Sequence, residues 1–219
     1  MKKKPAAGQT AKPVPLAVIK RLPLYYARLA SLAEAGILRV SSSHLARLAG
    51  VTPAQLRHDL SHFGSFGQQG YGYRTHELQA AIGRILGLDR STRMVLVGAG
   101  HLGRALANYQ GFRRRRFFLQ AIFDSDPALV GQVVADLTVQ EASQLSDYLG
   151  HHRIEIGIIA VPAEEAQAVA DRLVAGGVKG IWNFAHLRLS VPDDVVVEQV
   201  NLTDSLLTLA FRLEERKKA

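Results

Sequence analysis

Residues 94–97 (MVLV) form an apolar run that leads directly into Gly98-Ala99-Gly100-His101-Leu102-Gly103, and a helix-like segment follows to about Tyr109. Few folds accept a glycine-rich turn in that place. Gly98 permits a tight turn, Gly100 lets the backbone come up against a pyrophosphate, and Gly103 lets the helix lie close on the sheet. The start of the helix offers N–H groups and partial positive charge to phosphates. Asp124 ends the next strand-like run, 117–123, about where a carboxylate holds ribose hydroxyls in a dinucleotide fold. The pattern predicts a nucleotide site built from Gly98, Ala99, Gly100, His101, Leu102, Gly103 and Asp124. Because Asp124 would repel a 2′-phosphate, the expected cofactor is NADH or NAD+. Arg113 to Arg116 precede the second strand, away from its C-terminal end, and read as a solvated charge run.

The remainder of the C-terminal part alternates. Strands are predicted over 154–161, 180–184 and 195–200, with an amphipathic helix over 163–176 and a last helix over about 204–217. Alternating strand and helix predicts a parallel α/β sheet. Pro162, directly after the third strand, reads as shaping a cofactor loop. A dehydrogenase would need a proton relay beside the nicotinamide. Residues after the third strand hold no Tyr-xxx-Lys pair and no evident His/Asp dyad.

The N-terminal part has the other period. Leu16, Ile19, Leu22, Tyr26, Leu29 and Leu32 recur at helical spacing, with Pro23 expected to bend the helix or end its first turn and Gly36 to stop it. Ser41 to Ser43 offer cap oxygens to a second helix with Leu45 and Leu48 inward. Gly50 to Thr52 make a turn, and Thr52 caps a third helix with Pro53 in its first position. Helix, glycine turn, helix is the helix-turn-helix arrangement. Gln55, Arg57, His58 and His62 are the polar positions of the third helix, and Gln and Arg can make bidentate base contacts in a major groove. Ser43 and the Thr52 turn are placed to meet phosphates. Residues 64–74 (GSFGQQGYGYR), with Gln69, Tyr71 and Tyr73 among glycines, predict a short β-ribbon or wing, and residues 75–87 a further helix.

Charge follows the same division. Residues 1–88 carry twelve Lys and Arg against three acids, whereas residues 89–219 carry fifteen against sixteen. One part is built to meet a polyanion and the other is not. Residues 1–15, rich in Lys and Pro, predict a disordered basic tail without the apolar centre of a secretory signal. There is no cysteine, which excludes disulfides and thiolate metal sites. No His/Asp/Glu set has metal-ligand spacing, and no apolar run approaches the ~20 residues of a membrane span. A cytoplasmic protein is expected, with a tail (1–15), a winged-helix domain (16–88), a Rossmann domain (89–200) and a C-terminal helix (201–219).

Several segments together resemble the redox-sensing transcriptional repressor Rex family: VPLAVIKRLPLYYARL at 14–29, Arg57-His58-Asp59-Leu60-Ser61 with Phe63-Gly64, GYGY at 70–73, VGAGHLGRALANYQGF at 97–112, FDSDP at 123–127, VP at 161–162, KGIWNFA at 179–185 and VEQVNL at 197–202. The resemblance covers about residues 14–212. It implies a homodimer of winged-helix and Rossmann domains with the C-terminal helix swapped onto the partner. Such a dimer binds double-stranded operator DNA and releases it when NADH binds, and NAD+ competes with NADH. It implies Tyr109 beside the nicotinamide, Val161, Pro162, Asn183 and Phe184 in the cofactor site, and Ser61, Gln69, Tyr71 and Tyr73 at the DNA. It also implies that Arg21 changes ion-pair partner between two states. His58 stands where the family pattern has lysine, Gln69 where it often has arginine, and Asn201 where it has the aspartate that pairs with Arg21; Asp204, one helical turn on, could stand in. Two other readings stay open: an NAD-dependent oxidoreductase with a helical cap, and a Rex-like NAD(H)-binding protein with altered or lost operator binding.

Overall fold

The structure, a computed structural model, describes residues 14–67 and 71–218. The chain divides into two compact units, residues 1–89 and 90–219.

In the first unit, α1 (Leu16–Glu34) runs unbroken through Pro23. Its buried stripe is Val18, Leu22, Tyr25 and Leu29, at spacings of four, three and four. Leu16 and Ile19, expected inward, are exposed instead. The apolar face is therefore turned about one position from that predicted, because Val18 and Tyr25 continue the stripe where Ile19 and Tyr26 do not. In α2 (Ser42–Ala49), Ser41 Oγ accepts the His44 N–H at 3.1 Å, and Gly50 ends the helix in the left-handed region at φ +68°. Leu45, Ala46 and Ala49 are buried, and Leu48 is exposed. In α3 (Pro53–Ser61), Thr52 Oγ1 accepts the Gln55 N–H at 3.1 Å and Pro53 opens the helix, as the sequence predicts. The antiparallel pair in this unit joins β1 (Arg39–Val40) to β2 (Tyr73–Arg74), with Val40 opposite Tyr73. The partner of the wing segment is therefore the strand before α2. Then α4 (Thr75–Ile85) packs on α1.

The second unit is a seven-stranded sheet in the order β5-β6-β4-β3-β7-β8-β9. The strands are β3 (Thr92–Val97), β4 (Phe117–Asp124), β5 (Val133–Val134), β6 (Leu137–Glu141), β7 (Ile156–Ile159), β8 (Gly180–Asn183) and β9 (Val196–Gln199). All pairings are parallel except the β5–β6 hairpin. Leaving out β5, the order is that of the doubly wound dinucleotide fold, reversing direction between β3 and β7. The sequence pattern missed β5 and β6, because two residues against five make too short an alternation to register, and it missed α7 (Leu145–His151). The remaining helices are α5 (His101–Ala107), α6 (Gly111–Arg114), α8 (Ala163–Ala175) and α9 (Leu202–Lys218).

Both sheet faces are buried. Val95, Val97, Phe123 and Ile159 pack on one side with Leu145, Leu149 and Leu173 from α7 and α8. Met94, Leu96, Ile122 and Ile158 pack on the other. A strand covered on both faces reads as a continuous apolar run rather than an alternation, as residues 94–97 do. Side chains from Leu202 to Lys217 on α9 are all exposed, Leu206, Leu207, Leu209 and Phe211 among them. No described helix is long and apolar enough to cross a membrane.

Ile158→Ala leaves a cavity in the centre of the sheet and should destabilise the second unit by about 2–5 kcal/mol in urea unfolding. A loss under about 1 kcal/mol would contradict this placement of the core.

Candidate functional site

The glycine loop lies at the reversal point between β3 and β7. Gly98 has φ +102°, and a Cβ there would run into the Ala160 carbonyl just beyond β7. A Cβ on Gly103 would meet the Gly98 carbonyl, so Gly103 is required for α5 to lie against the turn. Gly100 is different. Its φ of −65° suits any residue, and a Cβ there would meet nothing within 4 Å. The fold needs no glycine at 100; what its small size preserves is open space for a group to approach the backbone. Asp124 borders that loop, its Oδ2 accepting the Ala99 N–H at 2.5 Å and its Oδ1 accepting the Asp126 N–H at 2.8 Å. These residues fit the pyrophosphate and ribose of NAD(H): backbone open to an anion at Gly100, and an acid at the strand end.

Val161 lies beside Gly98, and Pro162 stands at the entry to α8. His101 is exposed and Leu102 half-buried at the start of α5. Beyond α5 an aromatic row runs from Tyr109 to Phe112 (5.0 Å between centroids), to Trp182 (5.7 Å) and to Phe184 (4.6 Å), each contact edge-on. Tyr109 is half exposed, and its ring covers Gly111 so closely that a Cβ there would collide with it. Phe112 and Trp182 went unassigned in the sequence, although both lie in the segments that carry the family resemblance. Asn183 does not fulfil its expected role. Its side chain is fully buried, with Nδ2 donating to the Leu187 carbonyl and to Gln199 Oε1 and with Oδ1 accepting the Ala185 N–H. It is buried away from the surface and holds the turn after β8. Arg113 to Arg116 are all exposed, as expected.

On the first unit, α3 exposes Ala54, Arg57, His58, Ser61 and, one residue beyond, His62. Arg57 Nη1 reaches Ser42 Oγ at 3.3 Å, the Ser61 hydroxyl donates to the His58 carbonyl at 2.7 Å, and the His58 and His62 rings meet edge-on at 5.1 Å. Ser43, Thr52 and Tyr71 are exposed on neighbouring elements. Two expected DNA contacts turn inward. Gln55 directs its amide to Asp59 Oδ1 at 2.7 Å. Tyr73 is only 7% exposed, packed in the core, and burial raises its phenol pKa. In a two-residue strand the pleat sends one side chain in and the next out, and Tyr73 is the inward one. Gln69 lies outside the described residues, as does the tail up to residue 13.

The strongest polar contact in this unit involves an acid without an assigned role in the sequence. Asp59, on α3, is fully buried. It accepts Arg21 Nε at 2.6 Å and Nη2 at 2.8 Å, the Tyr25 hydroxyl at 2.6 Å, and Gln55. Burial alone would raise the Asp59 pKa, but the hydrogen bonds from Arg21, Tyr25 and Gln55 outweigh it and hold the carboxyl down at about 2. Arg21, 29% exposed, has its own pKa raised by the same bonds. Asn201 acts locally: its Oδ1 accepts the Thr203 N–H at 3.1 Å and hydroxyl at 2.7 Å, capping α9, with Asp204 in the first turn. Among the described residues no cluster of three or more His, Cys, Asp or Glu could hold a metal.

Gly100→Ala should leave unfolding free energy within about 0.5 kcal/mol while weakening NADH binding roughly tenfold or more; unchanged NADH affinity by calorimetry would contradict the cradle. Asp59 has a folded pKa below its unfolded one, so its stabilisation is present above about pH 4 and is lost as pH falls toward about 2. That loss, about 2 kcal/mol in denaturant titrations at pH 5 and below, should shrink in Asp59→Asn.

Residues 13–61 match the family model described as a putative DNA-binding protein N-terminus, and residues 89–187 match the CoA binding domain. A redox-sensing transcriptional repressor Rex from Clostridioides difficile (strain 630) is 47% identical over 206 residues, 94% of this chain and 98% of the relative. The Rex of Clostridium beijerinckii is 48% identical over 204 residues, 93% of this chain and 97% of the relative. The crystal structure of RSP in complex with NAD+ and operator DNA superposes with a TM-score of 0.89 at 45% identity, covering 94% of this chain and 95% of that one. RSP in complex with NADH superposes with a TM-score of 0.87 at 43% identity, covering 93% and 96%. At these identities over nearly the full length of each, the chain belongs to the Rex family of redox-sensing transcriptional repressors.

Proposed function

We propose that this chain is a transcriptional repressor that binds operator DNA as a homodimer and releases it when NADH binds. The observation that carries the cofactor half is Gly100: a glycine where the fold requires none, with open space beside it and the neighbouring Ala99 N–H bound to Asp124. Its relative RSP has been solved with NAD+ and operator DNA and with NADH. Gly98, Ala99, Gly100, His101, Leu102 and Gly103 form the phosphate cradle, Asp124 takes the ribose, and Val161, Pro162 and Phe184 close the crevice. Tyr109 stands at the nicotinamide end. The reduced nicotinamide ring is neutral and the oxidised ring cationic, so the Tyr109–Phe112–Trp182–Phe184 row supplies an apolar surface that favours the reduced form.

The DNA face is the exposed side of α3. Arg57, His58 and Ser61 meet base edges and phosphates in the major groove, Ser43 and Thr52 meet phosphates, and Gln69 and Tyr71 belong to the wing. Two such helices in a dimer fit successive major grooves only at a set spacing, about 34–36 Å for half-sites one turn apart. The apolar side chains Leu206, Leu207, Leu209 and Phe211, exposed on α9, dock on a second copy and make the dimer. Arg21 serves in the switch while remaining bound to Asp59, since leaving it would strand a buried carboxylate. Asn201 and Asp204, at the start of α9, are its candidate partners on the second copy. The repressor acts in the cytoplasm, where the operator is.

NADH can shift the dimer between spacings only by its differential affinity for them, and moving from 1:99 to 99:1 takes about 5.5 kcal/mol. In a mobility-shift assay, saturating NADH should weaken operator binding by roughly 5–150-fold or more, and NAD+ should not. Operator binding that ignores NADH would sink the sensor function. Leu206→Glu with Phe211→Glu should yield monomers in sedimentation and abolish specific binding; a stable dimer would remove α9 from the interface.

A further inference from the structure

The residues around Asp124 form a closed hydrogen-bonded ring, and one member of it, Arg104, has no role in the cofactor reading given above. Asp124 Oδ2 accepts the Ala99 N–H. The Ala99 carbonyl accepts Arg104 Nε at 2.9 Å. Arg104 Nη2 donates to Gln132 Oε1 at 2.6 Å, and Gln132 Nε2 donates to the Ala128 carbonyl at 2.6 Å. The Ala128 N–H donates to Asp126 Oδ1, and the Asp126 N–H returns to Asp124 Oδ1, each at 2.8 Å. The ring passes through both peptide groups of Ala99 and ties the glycine loop to the loop after β4. Those two loops bound the ground next to Asp124, where an adenosine ribose would lie. Arg104 follows Gly103 directly on α5, so the helix that reaches under the turn also carries the clamp.

We infer that Arg104 is a positioning residue for the adenosine half of the dinucleotide: it closes the ring and thereby sets Asp124 and the 125–132 loop before ligand arrives. The inference rests on the cofactor reading above. A planar guanidinium suits this task because its Nε and Nη2 point in fixed directions, one to each loop; a lysine ammonium cannot hold both. Positioning of this kind acts on what all the ligands share. Arg104 therefore raises affinity for NADH, NAD+ and ADP alike, and leaves the preference for the reduced ring to the aromatic row.

Calorimetry on the full-length protein with NADH, NAD+ and ADP tests this. Arg104→Met should weaken all three by a common factor of about tenfold, equivalent to about 1.4 kcal/mol, with the NADH/NAD+ ratio unchanged. Gln132→Leu should weaken them in the same way. Because both act through one ring, the double variant should lose little beyond the larger single effect. Arg104→Lys should restore little. A merely structural role would lower the melting temperature without ligand and show no coupling between 104 and 132. Three results would overturn the inference: a loss confined to NADH, ADP binding that is unaffected, or additive losses at Arg104 and Gln132. If the unaltered protein binds neither NADH nor NAD+, the cofactor reading itself fails; if it binds both and Arg104→Met matches it, only the ring's role fails.

Discussion

The contact on which the second unit's site depends is that between Gly103 and the Gly98 carbonyl. No side chain fits between them, so α5 starts directly against the turn that leaves β3. Gly98 in turn sits against the Ala160 carbonyl at the end of the neighbouring strand, which pins the loop at the one place where the sheet order reverses. With both ends held by backbone, the middle of the loop can remain open without becoming loose. Asp124 completes the arrangement by accepting the Ala99 N–H from the adjacent strand end. The open ground at Gly100 thus follows from two glycines that the fold needs and a third that it does not.

The first unit is organised around a charge rather than a close backbone approach. Asp59 brings a carboxylate into a mainly apolar core that includes Leu22, Leu29, Leu45, Leu56 and Leu60, and such a charge is tolerated only when fully paired. Two donors from Arg21, the Tyr25 hydroxyl and the Gln55 amide satisfy it. The bonds fix the rotation of α3 against α1: with Gln55 and Asp59 inward, helical geometry puts Arg57, His58 and Ser61 outward. Which side chains α3 presents outward is therefore decided from inside the core.

Much of this was legible in the sequence, for identifiable reasons. The glycine spacing, the acid after β4 and the apolar runs made the parallel sheet and its loop evident, because each is a local pattern with a single backbone solution. Ser41, Thr52 and Pro53 marked their helix ends for the same reason. Orientation within an element was harder. Gln55 and Tyr73 have the chemistry of DNA contacts, yet Gln55 answers a buried acid four residues on, and Tyr73 faces inward because of a two-residue strand paired with a partner 33 positions earlier in the register. Asn183 has the chemistry of a ligand contact, yet its side chain serves partners at 187, 185 and 199 that only the fold brings together. Ion pairs across 38 residues, such as Arg21–Asp59, leave no periodic signature at all.

In the proposed switch, nucleotide and operator bind one protein with opposed preferences for its states. Linkage makes that reciprocal: the factor by which NADH weakens operator binding must equal the factor by which operator weakens NADH binding. NADH affinity measured by calorimetry on the protein alone and on its operator complex is the direct measurement. Weaker NADH binding to the complex is expected, by the same factor found for DNA. Equal NADH affinities with and without operator would contradict it.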